Sequence, residues 1–248
     1  MHMLPEAVYV LNRRPYKETS LILEVFSPNY GRLNIIANGA LKSKKGWSAM
    51  LQVFQPLLLS WTGRSSLKTL TAVETPSAAI ELSGDRLFSA YYLNELLLKL
   101  IPCDEGGASS FNNIECFLSY SKTLDDLCSY EDIEIPLRRF EYQLLTELGV
   151  FPDISSDING SEISANVMYQ LIPQEGFQVT TISSPRLLLN GTHLQELNHL
   201  LEDDFVFSKS FLKQIKGLMR TLITELLGGQ ELKSRALFTT YQPFRRVK

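Results

Sequence analysis

The chain has 248 residues, 44% hydrophobic and 21% charged, with a formal net charge of −3 at neutral pH. That length suits two domains, or two and a small module, and the composition is ordinary for a globular protein, which excludes disordered and fibrous classes. No stretch nears the about 18 apolar residues of a membrane span, and Glu6 and Arg13-Arg14 bracket a strand-like start in place of a signal peptide, so the expectation is a cytoplasmic protein with no membrane partner.

The small net charge conceals segregation: residues 1–80 carry +5, residues 81–208 carry −15 and residues 209–248 carry +7. Basic ends around an acidic middle point to polyanion-binding surfaces. Cys103, Cys116 and Cys128 are odd in number and 13 and 12 residues apart. That spacing suits neither a disulfide framework nor a metal knuckle, so all three read as reduced, buried thiols.

Along residues 1–80, runs rich in β-branched and aromatic residues predict strands over Glu6–Asn12, Thr19–Phe26, Gly31–Ala37, Phe54–Trp61 and Leu67–Glu74, with turns at Arg14-Pro15, Ser27-Pro28-Asn29 and Gly63. Five short strands match an OB barrel, whose face and loops often bind oligonucleotides. The basic, Gly-containing stretch between Asn38 and Val53 reads as a surface loop or short helix. Arg13, Arg14, Arg32, Lys42, Lys44, Lys45, Arg64 and Lys68 interleave with Tyr16, Tyr30, Trp47 and Trp61, a combination that can neutralise phosphates and stack bases. The alternative is a solvated surface over buried aromatics, and Trp61, ending an apolar strand, reads as core.

From about Ser83 the apolar period changes to 3.6. Leu87, Tyr91, Asn94, Leu97 and Ile101 predict a helix that stops at Pro102, and Leu137, Phe140, Leu144 and Leu148 predict another that stops at Gly149 and Pro152. Residues 151–190 read as a small irregular insert with strand-like runs near Met168–Ile172 and Phe177–Ile182. A last long helix spans about Ser208–Leu227, with Phe211, Ile215, Leu218, Leu222 and Leu226 on one side and Lys209, Lys213, Lys216 and Arg220 on the other. Gly228-Gly229 ends it, and a basic tail with Lys233, Arg235, Arg245, Arg246 and Lys248 follows. The class is α+β: an OB domain over 1–80, then a mainly helical domain over 81–150 and 191–248, interrupted by the insert.

Catalytic motifs are not apparent. His193 and His199 lack the i,i+4 spacing of a zinc helix, Leu67 stands where the second glycine of a phosphate loop belongs, and the acid pairs Asp125-Asp126 and Asp203-Asp204 read as solvated. No metal, cofactor or enzymatic activity is expected. Arg138-Arg139 reads, on its own, as a snorkelling surface pair.

Five segments, RRPYKETSLILEVFSPNYGRLNIIANGALKSKK (13–45), LQVFQPLLLSWTGRSSLKTLTAVE (51–74), YLNELLLKLIP (92–102), LRRFEYQLLTELGV (137–150) and LKSRALF (232–238), together resemble the RecO family of bacterial recombination-mediator and DNA-repair proteins. The resemblance implies binding of single- and double-stranded DNA and annealing of strands coated with single-stranded-DNA-binding protein (SSB). It also implies help, with RecR, in loading RecA, and a cytoplasmic, nucleoid-associated location. Many members hold zinc through four cysteines in the insert; residues 149–190 contain none here, so the chain is similar to the zinc-free branch. The acidic, Phe-ended SSB tail is implied to dock within Leu137-Arg138-Arg139-Phe140, first at Arg138 and second at Arg139, where a guanidinium can take a carboxylate bidentately. Competing readings are an RNA-binding OB protein and an adaptor that touches no nucleic acid; a hydrolase comes last.

Overall fold

The computed structural model of the protein describes residues 4–42, 46–103, 111–180 and 187–241. The chain forms two compact units, Met1–Glu131 with Glu231–Lys248, and Asp132–Gln230.

In the first unit, β1 (Glu6–Tyr16), β2 (Ser20–Ser27), β3 (Gly31–Ala37), β4 (Pro56–Thr62) and β5 (Leu67–Glu74) close into a barrel in the order β1-β2-β3-β5-β4. β3 and β5 run parallel and the other pairs antiparallel, the arrangement of an OB barrel. Strict alternation along β3 explains why it forms an edge-to-edge partner for both neighbours: Leu33, Ile35 and Ala37 turn inward to join Val10, Leu23, Leu59 and Trp61, leaving Arg32, Asn34 and Ile36 on the outer face. At Gly31, the first residue of β3, the backbone is left-handed (φ +62°), which favours glycine, and a Cβ there would sit 2.9 Å from the end of the Asn113 side chain, which would have to shift.

β1 is longer than the sequence predicts. It continues through Arg13, Arg14 and Pro15 to pair Tyr16 with Ser20, so the expected turn at Arg14-Pro15 lies instead at residues 17–19. Proline is tolerated because β4 pairs only with Glu6–Tyr9, which leaves the far half of β1 an edge that needs no donor on its open side. The 38–53 stretch contains a 3-10 turn at Ala40–Lys42 and a short helix, α1 (Trp47–Met50).

Helices α2 (Gly84–Leu100), α3 (Asn113–Ser129) and α7 (Lys233–Tyr241) complete this unit. α2 carries Asn94 on its apolar face, and the structure gives that polar residue its reason. A bulge in β1 between Val10 and Asn12 turns the Leu11 carbonyl toward the helix, where the Asn94 amide donates to it at 2.8 Å. The Asn94 side-chain oxygen in turn accepts from the Tyr120 hydroxyl of α3 at 2.5 Å. Tyr9, whose hydroxyl lies 2.8 Å from Ser121 Oγ, packs edge-on against Tyr120. Burial pushes the Tyr9 hydroxyl pKa up and the Tyr120 one well up, so both stay neutral donors in the seam.

The second unit holds α4 (Glu134–Glu147), a three-stranded antiparallel sheet of order β7-β6-β8, with β6 (Met168–Ile172), β7 (Gly176–Val179) and β8 (Leu188–Asn190), then α5 (Gly191–Glu196) and α6 (Lys209–Leu226). The insert is therefore more regular than expected. With no cysteine in it, the core is apolar, from Ile163, Tyr169, Leu171, Phe177 and Leu189. Buried Asp157 ties its loop by accepting from the backbone N–H groups of Asn159 and Ser161, each at 2.9 Å. Gly191 starts α5 where a Cβ would lie 2.0 Å from the Ser164 carbonyl oxygen, a place only glycine fits. α6 begins at Ser208, whose hydroxyl caps the Phe211 N–H at 3.1 Å, and buries Phe211, Ile215, Leu218 and Leu222 as predicted, while Leu226 is left partly exposed.

Candidate nucleic-acid interface

The barrel sorts its predicted cations into two kinds. Arg13 shares a face with inward Leu23 and spends its guanidinium on the Ser48 and Leu51 carbonyls at 2.9 and 3.2 Å, tying α1 to the barrel. Arg32 donates to the Leu98 carbonyl at the end of α2, and its own carbonyl takes the Cys103 thiol at 3.3 Å. Both are structural connectors. Arg14, Lys42 and Arg64 are exposed, and Lys68 is half-buried at the start of β5. Arg14 heads a cross-strand row with Ile22, Ile36 and Thr69, three strand spacings or about 14 Å across the outer face. The Leu41 N–H bonds the Thr19 carbonyl at 2.8 Å, which holds the Lys42 turn beside the β1–β2 hairpin. Lys44 and Lys45, like Arg245, Arg246 and Lys248 of the tail, lie outside the described residues.

Of the four aromatic candidates, Tyr16 is exposed, with Lys17 Nζ 5.4 Å from its ring centre. Trp61 is core, Tyr30 meets it edge-on at 5.4 Å, and Trp47 packs against the same cluster. A row of stacking platforms is therefore not what these residues form. Lys233 is exposed and Arg235 half-buried at the start of α7.

In the second unit, Lys209, Lys213, Lys216 and Arg220 form one exposed stripe along α6, and Lys216 Nζ binds Glu134 Oε1 at 2.5 Å. The arginine pair of α4 departs from the surface reading: Arg138 and Arg139 are only 5% and 6% exposed. Arg138 Nη1 meets Glu141 Oε2 at 2.8 Å, Glu134 Oε2 lies 4.0 Å from its Nη2, and its Nε has no hydrogen-bond partner among the described residues. Arg139 uses Nε on the Leu200 carbonyl at 2.8 Å, Nη1 on Asp203 Oδ1 at 2.9 Å and Nη2 on the Glu202 carbonyl. Asp203 is thereby an ion-pair partner, while its carboxylate stays exposed as expected of a solvated acid. Phe140 is fully buried and Leu137 nearly so, which puts both in the core.

Chemistry of other kinds finds little support. Residues 63–66 connect strand to strand and 67–69 already belong to β5, where a phosphate loop needs a strand-to-helix turn, and among the described residues no group of three His, Cys, Asp or Glu is placed to hold a metal. His193 Nδ1 meets Gln214 at 2.7 Å and His199 stacks on Phe205, both structural roles. Cys116 is buried as expected, but Cys103 is half-buried and Cys128 exposed.

Comparison with known proteins decides the family. Residues 1–78 match the model of the recombination protein O N-terminal domain, and residues 81–236 that of the recombination protein O C-terminal domain. The chain belongs to the RecO family. It is 38% identical over 231 residues to the DNA repair protein RecO of Aliivibrio salmonicida, covering 93% of each chain. It is also 38% identical over 233 residues to that of Coxiella burnetii (94% of this chain, 96% of the relative) and 36% over 239 residues to that of Marinobacter nauticus (96% and 95%). The RecO N-terminal match spans the barrel, and the C-terminal match spans α2, α3, the start of α7 and the whole of the second unit. Among the described residues, no helix is long and apolar enough to cross a membrane. What reasoning from sequence missed here is the burial of the α4 arginines; for Arg138, Glu134 and Glu141, four before and three after it on the same helical face, could have signalled it.

Proposed function

We propose that the protein is a cytoplasmic, nucleoid-associated recombination mediator in DNA repair. It binds single- and double-stranded DNA, anneals complementary strands coated with SSB without ATP, and acts with RecR to promote RecA loading. The observation that carries the reading is membership of the RecO family along nearly the whole chain, joined to an OB barrel whose Arg14, Lys42 and Arg64 are exposed. The proposed DNA contacts are these three with Lys68, the α6 stripe, Lys233, Arg235 and the Lys44-Lys45 pair; Arg13 and Arg32 contribute mainly by holding the barrel. Base pairing supplies the driving force for annealing, and neutralised phosphates let two strands approach.

The acidic SSB tail is proposed to dock at Arg138. Support comes from the contrast with Arg139, whose three nitrogens all serve the 200–203 segment, whereas Arg138 leaves its buried Nε without a hydrogen-bond partner among the described residues. Carboxylate exchange with Glu134 or Glu141 keeps the guanidinium paired throughout. The test is annealing of labelled complementary oligonucleotides coated with intact SSB or with SSB lacking its tail, in the absence of ATP. Annealing that depends on the tail is the expected result; absence of annealing on naked and coated strands alike would sink the mediator reading and favour an adaptor or an RNA-binding role.

A further inference from the structure

The C-terminal end of α6 faces a cleft that the mediator reading does not use. Its cavity volume is about 490 Å³, and its walls come from the turn after α4, the β6–β7 hairpin and the last turn of α6. That size lies within the about 300–1,000 Å³ of ligand clefts. Phe151, Pro152, Leu171 and Leu222 give it an apolar lining. Val150 and Leu226, also in the wall, are 37% and 39% exposed, so apolar surface remains open to a partner.

The charged residues lining the cleft are Asp153, Glu175 and Glu225, all exposed carboxylates, and among the described residues no lysine or arginine lines it. Nor does any occur in the sequence between Arg139 and Arg186. Hydrogen bonds from the Ser155 backbone N–H, the Ser155 hydroxyl and the Ser156 hydroxyl hold the Asp153 carboxyl below its ordinary pKa, so it stays ionised. α6 is thus polar along its length, with Lys209, Lys213, Lys216 and Arg220 in its first three turns and Glu225 and Leu226 at the cleft. Nucleic acid and acidic peptides, which suit the first half, are repelled by the second.

We propose that this cleft docks a cationic polypeptide segment, which seats an aromatic or branched apolar side chain on Phe151, Leu171 and Leu222 while flanking arginines or lysines meet Glu175, Glu225 and Asp153. Apolar lining and one-signed rim together fit this occupant. Its lining shares no residue with the proposed DNA and SSB-tail contacts, so the proposal stands or falls independently of the mediator reading.

The probe is a fluorescein-labelled synthetic peptide with a central benzoylphenylalanine flanked on each side by two arginines, titrated into the full-length protein without nucleic acid and followed by anisotropy. Photo-crosslinking then locates it. The expected result is saturable binding, crosslinks within residues 150–153, 171–176 and 222–226, and a loss of about tenfold in affinity for Glu175→Lys/Glu225→Lys, as two weak attractions become repulsions. Leu226→Ser, which changes no charge, weakens binding as well, and a glutamate-flanked peptide does not bind. All three altered residues are exposed, and the melting temperature confirms folding of each variant. Equal affinity for wild type and Leu226→Ser with the charge-reversed protein unchanged, crosslinks confined to other segments, or no binding to wild type overturns the proposal.

Discussion

The barrel and helix α4 use arginine in opposite ways. Inside the barrel, Val10, Leu23, Ile35, Leu59 and Trp61 form a core free of charge, and Arg14, Lys42 and Arg64 stand in solvent. In α4, Arg138, Arg139 and Glu141 are themselves interior, matched to one another or to the 200–203 segment. A charge out of water persists only when paired and hydrogen-bonded, so the α4 cations are bound up with the fold of their unit. Exposed cations contribute almost nothing to stability and keep their full charge for a polyanion. Position within the fold, more than residue type, separates a cation tied into structure, as Arg139 is, from one that stands in solvent.

The largest expected effect comes from breaking the interior pair. Glu141→Ala leaves Arg138 buried beside a distant Glu134 and costs about 3–5 kcal/mol. Helical ellipticity followed through thermal melting reads this as a clear drop in Tm, and an unchanged Tm would mean that Arg138 does not depend on Glu141. The same coupling governs any test of tail docking: loss of peptide binding by Arg138→Ala has to be compared at equal fraction folded, because that substitution strands Glu141 in turn.

The barrel sharpens the comparison within one element, since Arg13 and Arg14 are neighbours on β1 with different employment. Arg14→Glu/Lys42→Glu/Arg64→Glu is expected to lower DNA affinity and to make the log–log salt dependence shallower by about 2–3, near 0.7–0.9 per lost phosphate contact. Its stability should stay within about 0.5 kcal/mol per site. Arg13→Ala does the reverse: it loses two bonds to carbonyls, costs about 1–3 kcal/mol and leaves the salt slope alone. Trp47 and Trp61 both belong to this unit and give the fluorescence signal for its melting. A shallower slope with unaltered melting in Arg13→Ala would erase the distinction.

Much of this was legible in the sequence where local pattern decides the outcome. Gly31–Ala37 and Leu67–Glu74 are strands at the predicted bounds because alternation and turn residues are local signals. β1 was under-read because Arg-Arg-Pro looks like a turn until the missing neighbour on that side is known. α3 escaped notice: its buried face is Cys116, Phe117, Tyr120, Thr123, Leu124 and Leu127, half of it too polar to announce a core stripe. The three-residue β8 is too short to carry a period. The burial of Arg139 is settled by carbonyls 61 and 63 residues away and by Asp203, which no local pattern encodes.

The smallest effect concerns Glu95, a charge of intermediate kind. From α2, its carboxylate accepts the Lys233 and Ser234 backbone N–H groups at 2.9 and 2.8 Å and so caps α7, and Lys99 lies 3.4 Å away. Burial pushes the Glu95 carboxyl up, but hydrogen bonds from Ser234 and Lys233 and the charge of Lys99 outweigh it, and the net pKa is lowered. A carboxyl lowered on folding adds stability that is fully present above its unfolded pKa, about 4.3 for glutamate, and is lost as the pH falls from there through the folded value. Glu95→Ala is therefore expected to cost about 1 kcal/mol at pH 7, as loss of a cap does. The Tm gap between wild type and variant should close as the pH falls below that range. A gap that persists unchanged at the lowest pH where both proteins fold would show that Glu95 acts by packing and not by its charge, unlike the paired charges of α4.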